Sequence, residues 1–410
     1  MKKQEQPTPV VSVRLSEATI ELRDRAREFA EREVKPIAKA RDLIPDPAQA
    51  FPWDVWRKAS REGWRTMALP RDEGGSGIDI LTHCVLVEEF TASGDVSFAA
   101  GMHQVWKTQE LLLTSEYLRH EVLPRFLADD DFMFSLSFTE PDAGTDNMLP
   151  YDGADGGSRT TAVRQPDGDW VINGTKHFLT GAGISKGSFV LTRTDPSKGM
   201  SDGATVFYVD HSLPGFSAEY VHSKLGMRNI PNGRLRYDNV RVPDDARVSP
   251  VGKGIAFIGS FGIPYAPTTS GFAIGVARQA LESTLDWCKN RWAGGRPLIE
   301  HQAVATILGD MYADIELART MMWNAAWSGQ NDPHHDVKLG IISQLFSAEM
   351  VVRVCCNAMR IWGGRGYMKE FPIEKLLRDA LFNAHVDGTN DINRLRITRS
   401  LTGGTGGYLG

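Results

Sequence analysis

Cysteine is scarce in this chain. Among 410 residues there are 4, Cys84, Cys288, Cys355 and Cys356, and none stands at the spacing of a zinc pair. A disulfide framework and a thiolate metal centre are thereby excluded. Core packing in a reducing compartment is the expected use of all of them, the adjacent Cys355-Cys356 included. The 10 histidines do not cluster with acids at ligand spacing, so no metal is expected. No apolar run approaches the ~20 residues that span a bilayer. Positive charge is not in excess: the net charge is −5, which gives no general attraction to nucleic acid or to an anionic membrane. The N-terminus, Met1-Lys2-Lys3-Gln4-Glu5-Gln6-Pro7, lacks the apolar core of a secretory leader. It reads as a tail over 1–14, and a cytoplasmic location is expected. Internal repeats and low-complexity segments are also absent.

What is present is ordinary globular composition, with 41% hydrophobic and 24% charged residues, in a length that accommodates two or three domains. From Ser16 to Ile37 the residues Leu22, Ala26, Phe29, Ala30, Val34 and Ile37 form one stripe of an amphipathic helix, with Ser16 as its N-cap. Helical patterns continue over Trp53–Gly63, Leu81–Ser93 and Val105–Leu127. The texture changes at Asp131. Phe132 to Phe138 alternates at strand period, and Gln165-Pro166-Asp167-Gly168 reads as a hairpin turn between two strands. Short apolar runs at Phe189–Leu191, Val206–Val209 and Leu235–Tyr237 continue this β region to Val242-Pro243. Helical periodicity returns from Thr268. Ala277, Leu281, Leu285 and Cys288 share a face. So do Val304, Leu308, Met311, Ile315, Ala318, Met322 and Ala325, and again Ile341, Leu345, Ala348, Val352, Cys355, Met359 and Trp362. Such sustained seams predict a helical bundle. The expected domains are helical over 15–131, β over 132–246 and helical over 247–410.

Several local clusters carry possible chemistry. Asp387-Gly388-Thr389 places a carboxylate before a glycine that permits a sharp turn and a hydroxyl that can bond a ligand or its own backbone. Taken alone, the triplet is ordinary turn chemistry. Phe138-Thr139-Glu140-Pro141-Asp142-Ala143-Gly144-Thr145-Asp146 is a hydroxyl-rich loop after a strand. Ile172-Asn173-Gly174-Thr175-Lys176-His177-Phe178-Leu179-Thr180-Gly181 is a second block, in which Phe178 could equally be core. Gly181-Ala182-Gly183 through Gly187 looks like a dinucleotide-binding fingerprint, but its last glycine is one residue late and a strand-like run follows where a helix is required. Gly252-Lys253-Gly254 lacks the remainder of a P-loop.

Taken together and in order, these blocks resemble the acyl-CoA dehydrogenase family. The resemblance runs from about Leu15 to Thr398. It includes Trp362-Gly363-Gly364-Arg365-Gly366-Tyr367, Pro372 to Ala380, Lys224 to Arg228, Tyr237 to Pro243, and Arg291 followed by Glu300-His301-Gln302. It implies an α+β fold with an N-terminal helical domain, a middle β-barrel or sandwich, and a C-terminal four-helix bundle. FAD is the implied cofactor, held by Leu136, Phe138, Thr139, Thr145, Phe178, Thr180, Arg291, Gln302, Arg360, Gly363, Gly364, Thr389 and Asp391. Thr145, Tyr265, Gly388 and Arg394 are implied to meet the substrate, an acyl-CoA or acyl-carrier thioester. An electron-transfer flavoprotein is the implied acceptor. A homotetramer or dimer is the implied assembly, with the Gly363–Tyr367 segment completing a neighbour's cofactor site.

By this resemblance Asp387 is the catalytic base, where the family usually has Glu. It would take the α-proton while the β-hydrogen leaves as hydride to the flavin. The alternative position for a base, within Pro264–Thr268, holds no acid, and the arginine common at the position of Ala266 is missing. Asp at the base position also resembles nitroalkane oxidase, a flavin oxidase of related fold, and a non-catalytic flavin-bearing binding protein is a third possibility.

Overall fold

Ser16 opens the first helix by accepting a hydrogen bond on Oγ from Thr19 N at 3.1 Å, and α1 (Glu17–Phe29) follows. In the computed structural model, which describes residues 13–148 and 152–402, this segment is not one continuous helix. A π turn at Ala30–Val34 separates α1 from α2 (Lys35–Asp42). Pro36 is the physical reason: it has no N–H for the i→i−4 bond and its ring crowds the preceding turn. The same device recurs at Leu118–Val122, just before Pro124 in α6 (Leu123–Ala128). Between them lie α3 (Trp53–Arg61), α4 (Ile80–Ala92) and α5 (Val96–Gln109). The helix expected from Val105 to Leu127 is thus divided among the end of α5, a 3₁₀ turn at Glu110–Leu113, the π turn and α6.

The middle region is one bent seven-stranded sheet. Its strands are β1 (Phe134–Ser137), β2 (Thr161–Arg164), β3 (Trp170–Thr180) and β4 (Gly187–Arg193). A one-turn helix, α7 (Met200–Gly203), then leads into β5 (Ala204–Asp210), β6 (Phe216–Val221) and β7 (Asn232–Val242). The order is β1-β4-β2-β3-β7-β6, with β5 on β4. β2 and β3 form the expected hairpin, with Arg164 opposite Trp170 and Gly168 at φ 100°. A strand, β4, follows the Gly181–Gly187 turn, where a dinucleotide-binding fingerprint would need a helix. The sheet has its own core, which includes Trp170, Ile172, Phe207, Leu235 and Tyr237.

The helices on either side share a second core, to which Phe134, Phe189, Leu191, Val206 and Tyr208 of the sheet also belong. α8 (Gly254–Tyr265) begins before the expected helical onset at Thr268; its glycines and Pro264 hide the periodicity. α9 (Ser270–Asn290), α10 (Gln302–Asn331) and α11 (Lys338–Trp362) form the bundle, completed by α12 (Ile373–Ala380) and α13 (Asn390–Thr402). On α10 the expected seam is buried from Leu308 to Ala325. On α11 only Ile341, Ala348 and Cys355 of the expected seam are buried; Leu345, Val352, Met359 and Trp362 are half-buried, and burial shifts to Ser343, Ser347, Val351, Val354 and Ala358. Cys356 is exposed while Cys355 is buried, so adjacent residues on a helix cannot both face the core as expected. By length and composition the stretch Lys338–Tyr367 would pass as a membrane span, yet 56% of its apolar window is buried inside the protein. It packs against α9, α10, α12 and α13, which accounts for its apolar character.

α4 lies at the centre and is buried on all sides from Leu81 to Ala92. Its Glu88 and Glu89 are therefore charges in an apolar setting, and each is met by guanidinium groups. Arg278 of α9 reaches Glu89 at 2.7 Å, Arg319 of α10 reaches Glu88 at 2.9 Å, and Arg27 of α1 reaches Glu89 at 2.9 Å. Burial pushes the Glu89 carboxyl up, but Arg278 and Arg27 outweigh it and hold it down to about 2. The ion pairs fix the N-terminal helices against the bundle.

Candidate active site

Asp387 sits in the turn between α12 and α13, at φ 50°, followed by Gly388 at φ 103°. The left-handed region is uncommon for a residue with a Cβ, so the surroundings must hold it there. They do so from both sides. Gln344 of α11 donates to Val386 O at 2.9 Å. Beyond the turn, Thr389 caps α13: its Oγ1 accepts from Ile392 N at 3.3 Å and its carbonyl accepts from Asn393 N at 3.0 Å. A Cβ on Gly388 would find room, with Asn393 Oδ1 at 3.4 Å; its φ is what calls for glycine.

The Asp387 carboxylate meets a partner that no motif announced. Lys107 Nζ of α5 donates to Asp387 Oδ2 at 2.9 Å. The other oxygen, Oδ1, makes no hydrogen bond among the described residues. One turn earlier on α5 stands His103, whose Nδ1 is 2.9 Å from His83 Nε2 of α4. The His83 ring lies edge-on to Tyr265 at 5.6 Å, and Tyr265 donates to Glu110 Oε1 at 2.8 Å. Burial pushes both imidazoles far below their ordinary value, and the nearby Lys107 charge adds to it. They are neutral. Tyr265 and Asp387, both expected at the substrate, are thus linked through a polar wall of His83, His103 and Lys107. No local signal marks this wall: Ser97, Gln104, Thr108 and Gln109 share α5 with His103 and Lys107, so polarity alone does not single those two out.

A second group forms on the sheet. β3 carries a bulge against β7 between Lys176↔Leu235 and Leu179↔Gly233. His177 and Phe178 occupy it, and Phe178 has φ 59°. A bulge re-aims side chains, and the Phe178 ring points outward with 58% exposure; it is not core. Thr139 is drawn alongside, since its carbonyl accepts from His177 N at 2.9 Å. Thr180 follows two residues after Phe178, and its carbonyl accepts from Ser135 Oγ at 2.8 Å. A buried ion pair locks the two motif blocks together. Lys176 Nζ donates to Glu140 Oε1 at 2.8 Å and to Phe138 O at 3.1 Å. Glu140 also accepts from Arg159 N at 2.7 Å and Thr160 N at 2.9 Å. Burial pushes Glu140 up, but Lys176 and these N–H groups hold it below the ordinary carboxylate range. Neither Glu140 nor Lys176 was singled out from the sequence. Leu136 and Phe138 are half-buried on this side of β1, and Thr145 begins a short 3₁₀ turn after Gly144.

The donors fit a flavin. An exposed aromatic face in a strained backbone stands beside Thr139 and Thr180, whose hydroxyls make no hydrogen bond among the described residues. An apolar ring held out at that cost is suited to stacking on a planar ligand.

The remaining expected contacts lie elsewhere. Arg291 ends α9 and Gln302 begins α10; Arg360, Gly363 and Gly364 close α11. All are exposed. Trp287 and Trp362 stack at 4.5 Å, and the guanidinium groups of Arg291 and Arg365 both lie over Trp287, so this set converges at one end of the bundle. Among the described residues no hydrogen bond or ring contact joins it to Phe178. Arg394 is engaged on the surface by Glu349 and by Asp391.

Three family models match in chain order: the acyl-CoA dehydrogenase N-terminal domain at residues 16–130, its middle domain at 135–240 and its C-terminal domain at 253–402. An acyl-CoA dehydrogenase of Bacillus subtilis (strain 168) is 30% identical over 399 residues, 95% of this chain and 100% of that protein. The cyclohex-1-ene-1-carbonyl-CoA dehydrogenase of Syntrophus aciditrophicus (strain SB) is 30% identical, covering 93% of this chain and 89% of its own. Butyryl-CoA dehydrogenase from Megasphaera elsdenii superposes with a TM-score of 0.87 at 25% identity, over 96% of this chain and 100% of that one.

Proposed function

The chain belongs to the acyl-CoA dehydrogenase family, and we propose that it oxidises the α,β bond of an acyl thioester with Asp387 as the base. The observation that carries this reading is the Asp387 carboxylate itself. It is held on a left-handed turn, with one oxygen tied to Lys107 and the other open. FAD is the cofactor, and when bound it supplies hydride acceptance from the β-carbon. Phe178, Thr139 and Thr180 would hold its ring system, and Thr145 and Arg291 its phosphates, since guanidinium matches phosphate geometry. The Gly363–Tyr367 segment would serve a neighbouring subunit's cofactor.

Asp387 has the demanding step. The α-proton is weakly acidic, so the thioester carbonyl must be polarised while the base approaches. The Asp387 N–H would donate to that carbonyl, a fixed dipole worth several kcal/mol in the transition state. Asp387 Oδ1 then takes the proton. Asp is shorter than Glu by about 1.5 Å, one C–C bond, and a base must come within about 2.6–3.2 Å of its partner. The substrate that suits it is bulky or branched near the α-carbon and sits closer to the turn. Electrons leave to an electron-transfer flavoprotein.

Asp at this position is also the observation that favours a nitroalkane-type oxidase as a second reading. One experiment separates the two. The FAD-loaded protein is mixed anaerobically with a panel of straight and branched thioesters, on coenzyme A and on a carrier protein, and separately with nitroalkanes in air. Flavin bleaching by a thioester is the expected result. Peroxide from a nitroalkane, with no bleaching by any thioester, would establish the oxidase instead.

A further inference from the structure

Lys107 is a cation with 11% of its side chain exposed, on a helix buried along nearly its whole length. An ammonium in such a place is costly unless paired. Its hydrogen-bonding partner among the described residues is the Asp387 carboxylate, 280 positions away in the chain. Among the described residues no other side chain hydrogen-bonds it. Glu110, just past the end of α5, accepts from Tyr265, and His103, one turn before Lys107, is engaged by His83.

The contact is one-sided. Lys107 takes Oδ2 and leaves Oδ1 open. A carboxylate on a short arm has two rotatable bonds, and its backbone here is in a sparsely populated conformation. Without a partner it would sample several rotamers, of which few aim an oxygen at a thioester α-carbon. A base displaced by ~1 Å can lose ~10² in rate. We infer that Lys107 is the positioning residue for Asp387, gripping Oδ2 so that Oδ1 faces the substrate α-proton. The assignment rests on Asp387 being the base. Through this contact a helix of the N-terminal region sets the reach of a base contributed by the C-terminal region, and the Lys-Asp pair together does the work of a longer carboxylate.

The test uses the FAD-loaded holoenzyme and the thioester that bleaches it. Lys107→Met, Lys107→Gln, Lys107→Arg, Asp387→Asn and the double variant Lys107→Met/Asp387→Asn are compared. FAD content and Tm show which are folded, and Lys107→Arg, which keeps the charge, secures the comparison if the neutral variants fold poorly. The limiting rate of flavin reduction should fall about 10- to 100-fold in Lys107→Met, in line with a misplaced base, while the half-saturating thioester concentration changes little. The isotope effect with α-deuterated thioester should rise, because proton removal becomes slower. Lys107→Arg should recover most of the rate. In the Asp387→Asn background the lysine substitution should cost nothing further. A folded Lys107→Met or Lys107→Gln that reduces its flavin at the wild-type rate would overturn the inference. So would losses that multiply in the double variant, since Lys107 would then act independently of Asp387. An Asp387→Asn variant with undiminished rate would remove the base assignment itself.

Discussion

Lys176 is completely buried, and its charge is matched by Glu140 and the Phe138 carbonyl. Removing one partner of such a pair leaves an uncompensated charge, at about 3–5 kcal/mol. Lys176→Met should therefore lower stability by that amount in a urea titration and loosen FAD, because the Phe138–Glu140 segment loses its anchor; retention of both stability and FAD would refute the anchoring role. His83 and His103 make a pH prediction. Folded, burial keeps both neutral; unfolded, they titrate near 6.5. Below that pH the unfolded chain binds protons that the folded chain does not, so stability falls as pH drops from about 7 to 5, by up to ~1.4 kcal/mol per pH unit for each imidazole. In His83→Gln/His103→Gln that slope should flatten when Tm is followed against pH. At this scale the sequence was legible where chemistry is local. Asp387 with Gly388 reads as a turn because glycine and a short acid have positional meaning, and Phe178 stands in a block whose order is distinctive. Lys107 and His83 were not legible, because their meaning depends on helices packed against a turn at the far end of the chain.

Among the elements, α4 and α9 depend on glycine for their approach. A methyl at Gly275 would overlap Thr91 Cβ and come within 2.8 Å of Glu88 O, and one at Gly271 would lie 2.9 Å from Val87 Cγ1. Gly275→Ala gains about 0.8–1 kcal/mol in helix propensity but overpacks at about 1–3 kcal/mol. The net expectation is a lower Tm, and a higher one would mean that α4 can shift. The bundle seams were readable because the period of an amphipathic helix is written in the residues. The π turns before Pro36 and Pro124 were not read, since a helical stripe continues through them. α8 was missed because a glycine-rich apolar segment lacks a polar face to reveal its period. The bulge in β3 was also hidden: only pairing with β7 shows that His177 and Phe178 stand opposite a single residue.

For the whole molecule, one apolar core joins the N-terminal helices to the bundle and takes in Phe134, Phe189, Leu191, Val206 and Tyr208 of the sheet, while a second, smaller core lies within the sheet. The division into helical, β and helical parts was legible from periodicity alone; how the parts meet was not. The bundle exposes Trp292, Tyr312, Leu317 and Tyr367, an apolar set that suits association between subunits. Light scattering should give a dimer or tetramer of the 45.3 kDa chain, and a monomer that binds FAD tightly would exclude a neighbour's contribution to the cofactor site. The central claim is that Asp387 removes the α-proton, and anaerobic stopped-flow reduction of the flavin tests it most directly. With the thioester that bleaches the wild-type protein, Asp387→Asn should keep its FAD and fold and reduce the flavin about 10³-fold more slowly. Reduction at the wild-type rate would contradict the account.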